Sequence, residues 1–175
     1  MVRSARLDLV SLSPLILAAL LDGRRGDAGA ELSARLPVDW PDADVEPFLR
    51  LRLGQMVEDP EAQRWLVRAL VRRHDRVMVG HAGFHGPPGF GGLAPGKAEL
   101  GYTVFPAFRG RGYATEAALA LMEWAEGRGI SRFVASVGPA NAPSLAIVRK
   151  LGFVQTGEQW DEDGLELVFE LDRSA

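Results

Sequence analysis

Glu99-Leu100-Gly101-Tyr102-Thr103-Val104-Phe105-Pro106-Ala107-Phe108-Arg109-Gly110-Arg111-Gly112-Tyr113-Ala114-Thr115-Glu116 is the stretch on which the fold turns. Its first half belongs to a strand, Lys97 to Phe105, and Pro106, which has no amide donor, ends the pairing. Its second half is an Arg-Gly-Arg-Gly turn, and the clearest helix of the chain follows at once, over Thr115 to Glu126. There Ala114, Ala118, Leu121 and Ala125 recur at helical spacing, and Gly127 and Gly129 stop the pattern. The first amides of a helix have no partner within it, and the macrodipole adds partial positive charge, so strand, glycine turn and helix in this order form an anion site. Gly110 and Gly112 let phosphate oxygens approach the backbone, while Arg109 and Arg111 offer charge-assisted donors. The spacing fits neither a Walker loop nor the Gly-x-Gly-x-x-Gly turn of dinucleotide folds. Taken alone, the segment is explained equally well by an ordinary glycine-rich turn carrying two solvated arginines.

Working outward, Leu7 and Leu9 alternate with Arg6 and Asp8 as a short strand over Arg6 to Val10, and Ser13-Pro14 opens a helix that runs from Leu15 to Leu21. Two helical pieces, Ala30–Leu36 and Val45–Val57, flank the acidic, proline-containing segment 37–44. Trp65–Val71 and Arg76–Phe84 form a hairpin through Arg72-Arg73-His74-Asp75. Residues 86–96 hold five glycines and three prolines in eleven positions and are a loop, either a lid or an idle insertion. Phe133–Val137 is a strand, Ser144–Leu151 a short helix ended by Gly152, and Val154–Gln155 with Glu166–Leu171 a terminal hairpin around Trp160-Asp161-Glu162-Asp163-Gly164. The pattern predicts one mixed α/β domain over residues 1–175.

Composition narrows the function. Lys plus Arg number 20 against 23 Asp plus Glu, a net charge of −3, so the basic excess of a nucleic-acid binder is absent. There is no cysteine, which removes thiol catalysis and Cys-based zinc sites, and with three histidines no metal site is expected. The longest apolar run, Leu12 to Leu21, contains Ser13 and Pro14 and is far shorter than the ~20 residues of a membrane span. No leader pattern opens the chain, and a cytoplasmic protein without membrane partners is expected. Ten of the 20 glycines fall between Gly80 and Gly112, where backbone is needed more than side chains.

A second segment, Val137 to Phe153, repeats the theme of strand, polar turn and short helix. Arg109-x-x-Gly112-x-Ala114 resembles motif A of the GNAT superfamily of N-acetyltransferases, and Asn141-x-x-Ser144 through Lys150-Leu151-Gly152-Phe153 resembles their motif B. Arg6-Leu7-Asp8-Leu9 and Glu99-Leu100-Gly101-Tyr102 are similar to the RimJ/RimL-type branch. The resemblance spans the chain and is strongest from Val79 to Phe153. It implies a mixed, mostly antiparallel central sheet of six to seven strands flanked by about four helices. It also implies acetyl-CoA as cofactor and a primary amine, on a protein N-terminus or a small molecule, as acceptor. A homodimer would be in keeping with such families.

Carried over residue by residue, the pyrophosphate would rest on the amides of Arg109, Gly110, Arg111, Gly112, Tyr113 and Ala114, with Thr115 in the same first turn. Val104 and Phe105 would pair with the pantetheine arm, and the Val104 amide would polarise the thioester carbonyl. The strand bearing them should splay from Phe133–Val137. Glu99 stands where some members have a catalytic glutamate, and otherwise is a solvent-facing strand carboxylate. Ser144 would meet the sulfur, since no tyrosine follows Tyr113 to play the usual acid. Asn141 is a helix cap, a pantetheine contact, or both. Trp40 and Trp160, each flanked by acids, form either an acceptor wall with a cation-attracting rim or two partly buried rings with solvated charges. His81 and His85 share a strand face, which serves either packing or the site. A CoA-binding module without turnover is the competing reading.

Overall fold

The computed structural model describes residues 1–161 and 164–174. Among these residues eight strands form one sheet in the order β1-β2-β3-β4-β5-β6-β8-β7. Along the chain they are β1 Val2–Arg3, β2 Leu7–Ser11, β3 Arg68–Arg72, β4 Met78–Phe84, β5 Lys97–Val104, β6 Arg132–Val137, β7 Val154–Asp161 and β8 Gly164–Asp172. Five α-helices accompany them: α1 Pro14–Leu21, α2 Arg25–Leu32, α3 Glu46–Glu58, α4 Tyr113–Glu126 and α5 Ala142–Lys150. Every strand pair is antiparallel except β5 with β6.

The alternation of β3 sorts the two faces. Leu70 joins the apolar cluster under α4 and α5, while Ala69 and Val71 join the cluster under α1, α2 and α3. Helix α4 buries Ala117, Ala118, Leu121, Met122 and Ala125 along the stripe its sequence announces. On the other face Leu49 and Met56 of α3 are fully buried against the sheet.

The parallel pairing of β5 with β6 lasts only from Lys97 to Glu99, opposite Arg132 to Val134. Beyond it β5 stays with β4 and β6 stays with β8, so the two strands part and a cleft opens between them. This is the splay the motifs imply.

The sheet exceeds six to seven strands because the two-residue β1 adds to its edge. The second helix lies at Arg25–Leu32 rather than Ala30–Leu36; it buries only Ala28 and Leu32, too few residues to print a periodicity, and a left-handed Ser33 ends it. Trp65 and Leu66 precede β3 rather than belong to it, because a 3-10 turn over Pro60–Arg64 delivers the chain there. Strand β7 runs on to Asp161 where alternation suggested two residues; Thr156 to Gln159 are polar and exposed along a sheet edge, so no apolar period marks them. Glu162 and Asp163 of the expected turn lie outside the described residues.

Candidate active site

The glycine turn is built as its sequence requires. Gly110 and Gly112 take left-handed φ values of 73° and 78°, which side chains resist, and Gly112 is the N-cap of α4. Among the described residues no side chain caps that helix, so its first amides are left to the groove in front of them. The turn is braced from behind. Arg6 donates through Nη1 to the Arg111 carbonyl (3.0 Å), and its backbone N and its Nε donate to the Glu116 carboxylate (2.7 Å each). Ser4 Oγ donates to the same carboxylate at 2.7 Å. The Arg6 guanidinium also lies 4.7 Å from the Tyr113 ring centre.

A groove of about 730 Å³ runs from this turn to α5. Val104, Arg109, Gly110, Gly112, Tyr113, Ala114 and Thr115 line one side, and Asn141 and Ser144 the other. Arg111 and Phe105 are outside the lining. Arg111 is exposed, with its carbonyl held by Arg6. Phe105 spends its amide on the Val79 carbonyl (2.9 Å) and its carbonyl on the Phe108 amide (2.8 Å), and its ring packs 5.8 Å from Trp40 on the opposite face.

Register decides which amides of β5 face the cleft. Phe105 N bonds Val79 O and His85 N bonds Glu99 O, so the hydrogen-bonded pairs with β4 fall on odd-numbered residues of β5. Tyr102 and Val104 therefore direct their N–H and C=O toward the side that β6 has left. Arg109 Nε donates to the Val104 carbonyl at 3.0 Å, while the Val104 amide has no ladder partner on that side.

A second cavity, of about 390 Å³, lies across the sheet, and the two meet at Tyr102, Thr103, Asn141 and Ser144. The Asn141 carboxamide accepts from the Ser144 amide at 3.2 Å, so it is a helix cap that also lines both cavities. Deeper in, Ser136 Oγ donates to Glu99 Oε1 (2.7 Å), and Gln159 Nε2 donates to Ser136 Oγ and Glu166 Oε2 (3.1 Å each). His85 Nδ1 stands 3.4 Å from Glu99 Oε2. Burial would raise the Glu99 carboxyl, but the contact with His85, then Ser136 and the Arg52 charge, hold it below its usual value. Glu99 itself stands behind the wall; His85, Ser136 and Glu166 form it.

The sequence left His85 between packing and the site, and it did not single out Tyr102. His85 is not packing: it is brought to Glu99 across the β4–β5 pairing, and a side chain at Gly101 would come within 2.9 Å of its Nε2. Only the coincidence of a histidine after one strand and a Glu-x-Gly in the next signals it. Tyr102 lies where both cavities meet, with its hydroxyl buried and given no hydrogen bond of normal geometry. Burial raises this phenol and the neighbouring Ser144 opposes the rise. Tyr102 precedes Tyr113 in the chain, on β5 rather than after motif B.

Other expectations resolve differently. Trp160 is 78% exposed and Trp40 only 4%, so the two do not form one wall; Trp40 backs His81, with ring centres 6.3 Å apart. His81 is buried against Phe48 (5.2 Å), and burial, reinforced by Arg52, lowers its pKa to about 4. Phe90 folds over Gly86, and no residue of loop 86–96 lines either of the two cavities. Among the described residues no cluster of three His, Asp or Glu could hold a metal, and no helix is long and apolar enough to cross a membrane.

The profile of the acetyltransferase (GNAT) domain family matches residues 18–154. The chain belongs to the GNAT acetyltransferase family. It is 30% identical over 128 residues to the uncharacterized N-acetyltransferase YjdG of Bacillus subtilis, covering 71% of this chain and 72% of that one. Among solved structures, a Bordetella pertussis protein assigned to the GNAT acetyltransferases is 25% identical, with TM-score 0.67 and 96% of each chain covered. RimL, the ribosomal L7/L12 α-N-protein acetyltransferase, shares the fold at 20% identity, TM-score 0.64, and 98% and 95% coverage. The GNAT family inferred from motifs A and B is thus the family whose profile matches.

Proposed function

We propose that residues 1–175 act as one domain that moves the acetyl group of acetyl-CoA to a primary amine by direct attack in a ternary complex. The observation that carries this reading is the meeting of two cavities at Tyr102, Thr103, Asn141 and Ser144, one ending on the bare N-terminus of α4 and the other on the Glu99–His85–Ser136 network. The groove suits the cofactor chemically: unpartnered helix amides beside two glycines for a pyrophosphate, and free strand-edge groups on β5 for an amide-bearing arm. When bound there, acetyl-CoA supplies an activated acetyl thioester.

The chain's own residues then divide the work. Gly110, Gly112 and the first amides of α4 hold the diphosphate, aided by Arg109. The Val104 amide stabilises negative charge as it develops on the acyl oxygen. On the acceptor side the attacking amine must be neutral. An α-amine, with a reference pKa near 8, gives up its proton more readily than a lysine near 10.4. His85 is placed to take that proton, and the Glu99 carboxylate, held behind it, orients the imidazole. On the thiol side Ser144 hands its proton to the departing sulfur and takes one from the Tyr102 phenol, which solvent in the opened groove restores once the products leave.

The test is thiol release from acetyl-CoA over a panel of primary amines, compared among wild type, Glu99→Gln and His85→Gln. Acceptor-dependent release that falls at least tenfold in both variants is expected. Cofactor binding without release toward any amine would instead establish a CoA-binding module.

A further inference from the structure

Arg52, on α3, lines the acceptor-side cavity and is only 7% exposed. Its Nη1 donates to the His85 carbonyl (2.7 Å) and to Gln55 Oε1 (2.9 Å), and its guanidinium lies 4.9 Å from the Phe48 ring centre. Its Nε is buried without a partner, and among the described residues no carboxylate comes within ion-pair distance of it. Glu99 attracts it at longer range but directs its oxygens to Ser136 and His85. A buried guanidinium is ordinarily matched by an anion, because desolvation of the charge is otherwise uncompensated.

The surroundings repeat the message. His81, packed against the same Phe48 ring, is kept neutral by burial and by the Arg52 charge, and its Nε2 is also buried without a partner among the described residues. This end of the cavity holds one fixed positive charge, an orphaned guanidinium donor and an imidazole that resists becoming a second cation. The carboxylates are met through His85, whose carbonyl takes Arg52 while its ring takes Glu99 behind the wall, and Glu166 stands in the wall itself. A ligand that suits both groups places a cationic amine at the His85 ring, which Glu99 backs, and an anion beside it at Arg52. The volume, about 390 Å³, is that of a small-molecule site.

We infer that the acceptor is a small amine that also carries an acidic group, a carboxylate or a phosphate, and that Arg52 recognises this group. The inference rests on the acetyl-transfer reading only for what happens at the amine. Polyamines and aminoglycosides, which bring several cations and no anion, are disfavoured partners of this cavity.

The experiment uses the full chain loaded with CoA and measures binding of matched amines by calorimetry: phenylalanine against phenethylamine, leucine against isopentylamine, phosphoethanolamine against ethanolamine, and spermidine alone. The acidic member of at least one pair should bind about tenfold tighter or better, the scale of one charge-assisted contact. Arg52→Met should remove that difference and Arg52→Lys keep part of it, with CoA affinity unchanged in both. Pairs that bind alike, a panel that does not bind, a preference for spermidine, or a preference that survives Arg52→Met would overturn the inference. If Arg52→Met fails to fold, the wild-type pairs and Arg52→Lys decide. Thiol release, measured in parallel with acetyl-CoA, separates the two claims. Selective binding without release refutes acetyl transfer alone, and release without selectivity refutes the anion site alone.

Discussion

At the scale of single residues, the site depends on who stands next to whom rather than on rare chemistry. Gly101 matters because its missing side chain leaves room for the His85 imidazole. Gly101→Ala should therefore lower kcat by displacing His85 while leaving the affinity for acetyl-CoA, measured by calorimetry, as it was. Gly112 matters for its left-handed φ of 78° at the cap of α4, and Gly112→Glu adds both strain and a negative charge where an anion is to sit. That variant should lose measurable acetyl-CoA binding; normal binding would refute the placement of the phosphate site. Tyr102→Phe should cost about 10²-fold in kcat with little change in KM for acetyl-CoA, and the loss should not add to that of Ser144→Ala. Additive losses would mean that the two hydroxyls act separately.

At the scale of elements, the sequence was most legible where local signals agree. Strand β5, the glycine turn and α4 carry alternation, a proline stop, two glycines and a helical stripe in succession, and all stand where those signals place them. Helix α5 was legible for the same reason: its cap, Asn141, is written three residues before the Ser144 it positions. Asn141→Ala should cost about 1 kcal/mol of stability in denaturant unfolding and lower kcat along with it, since the cap also sets the position of Ser144. What stayed hidden depends on partners far along the chain. The edge strand β7 owes its length to pairing with β8, not to a pattern of its own, and α2 buries too little to show a face. The His85–Glu99 contact is made by register between β4 and β5, and alternation within either strand says nothing about it. Alternation could not mark Tyr102 as a neighbour of Ser144, because α5 returns to it only after α4 and β6.

At the scale of the whole molecule, acid stability should report on His81. Its ordinary pKa near 6.5 is lowered to about 4, by burial first and Arg52 second. The unfolded chain then binds the extra proton more readily than the folded one, so stability is complete above pH 6.5 and drains away as the pH falls toward 4. The loss reaches about 3 kcal/mol at most. Unfolding of His81→Phe followed against pH should flatten across this window; an unchanged slope would place the acid sensitivity elsewhere.

The parting of β5 from β6 also leaves one strand with one edge paired and the other open to the cleft. Thr103 and Phe105 point their amides at β4, while Tyr102 and Val104 point theirs into the cleft. Amide exchange along this strand should therefore be striped, slow and fast by turns at successive residues. Binding in the groove would then be read as the fast stripes slowing, residue by residue, while their neighbours stay as they were.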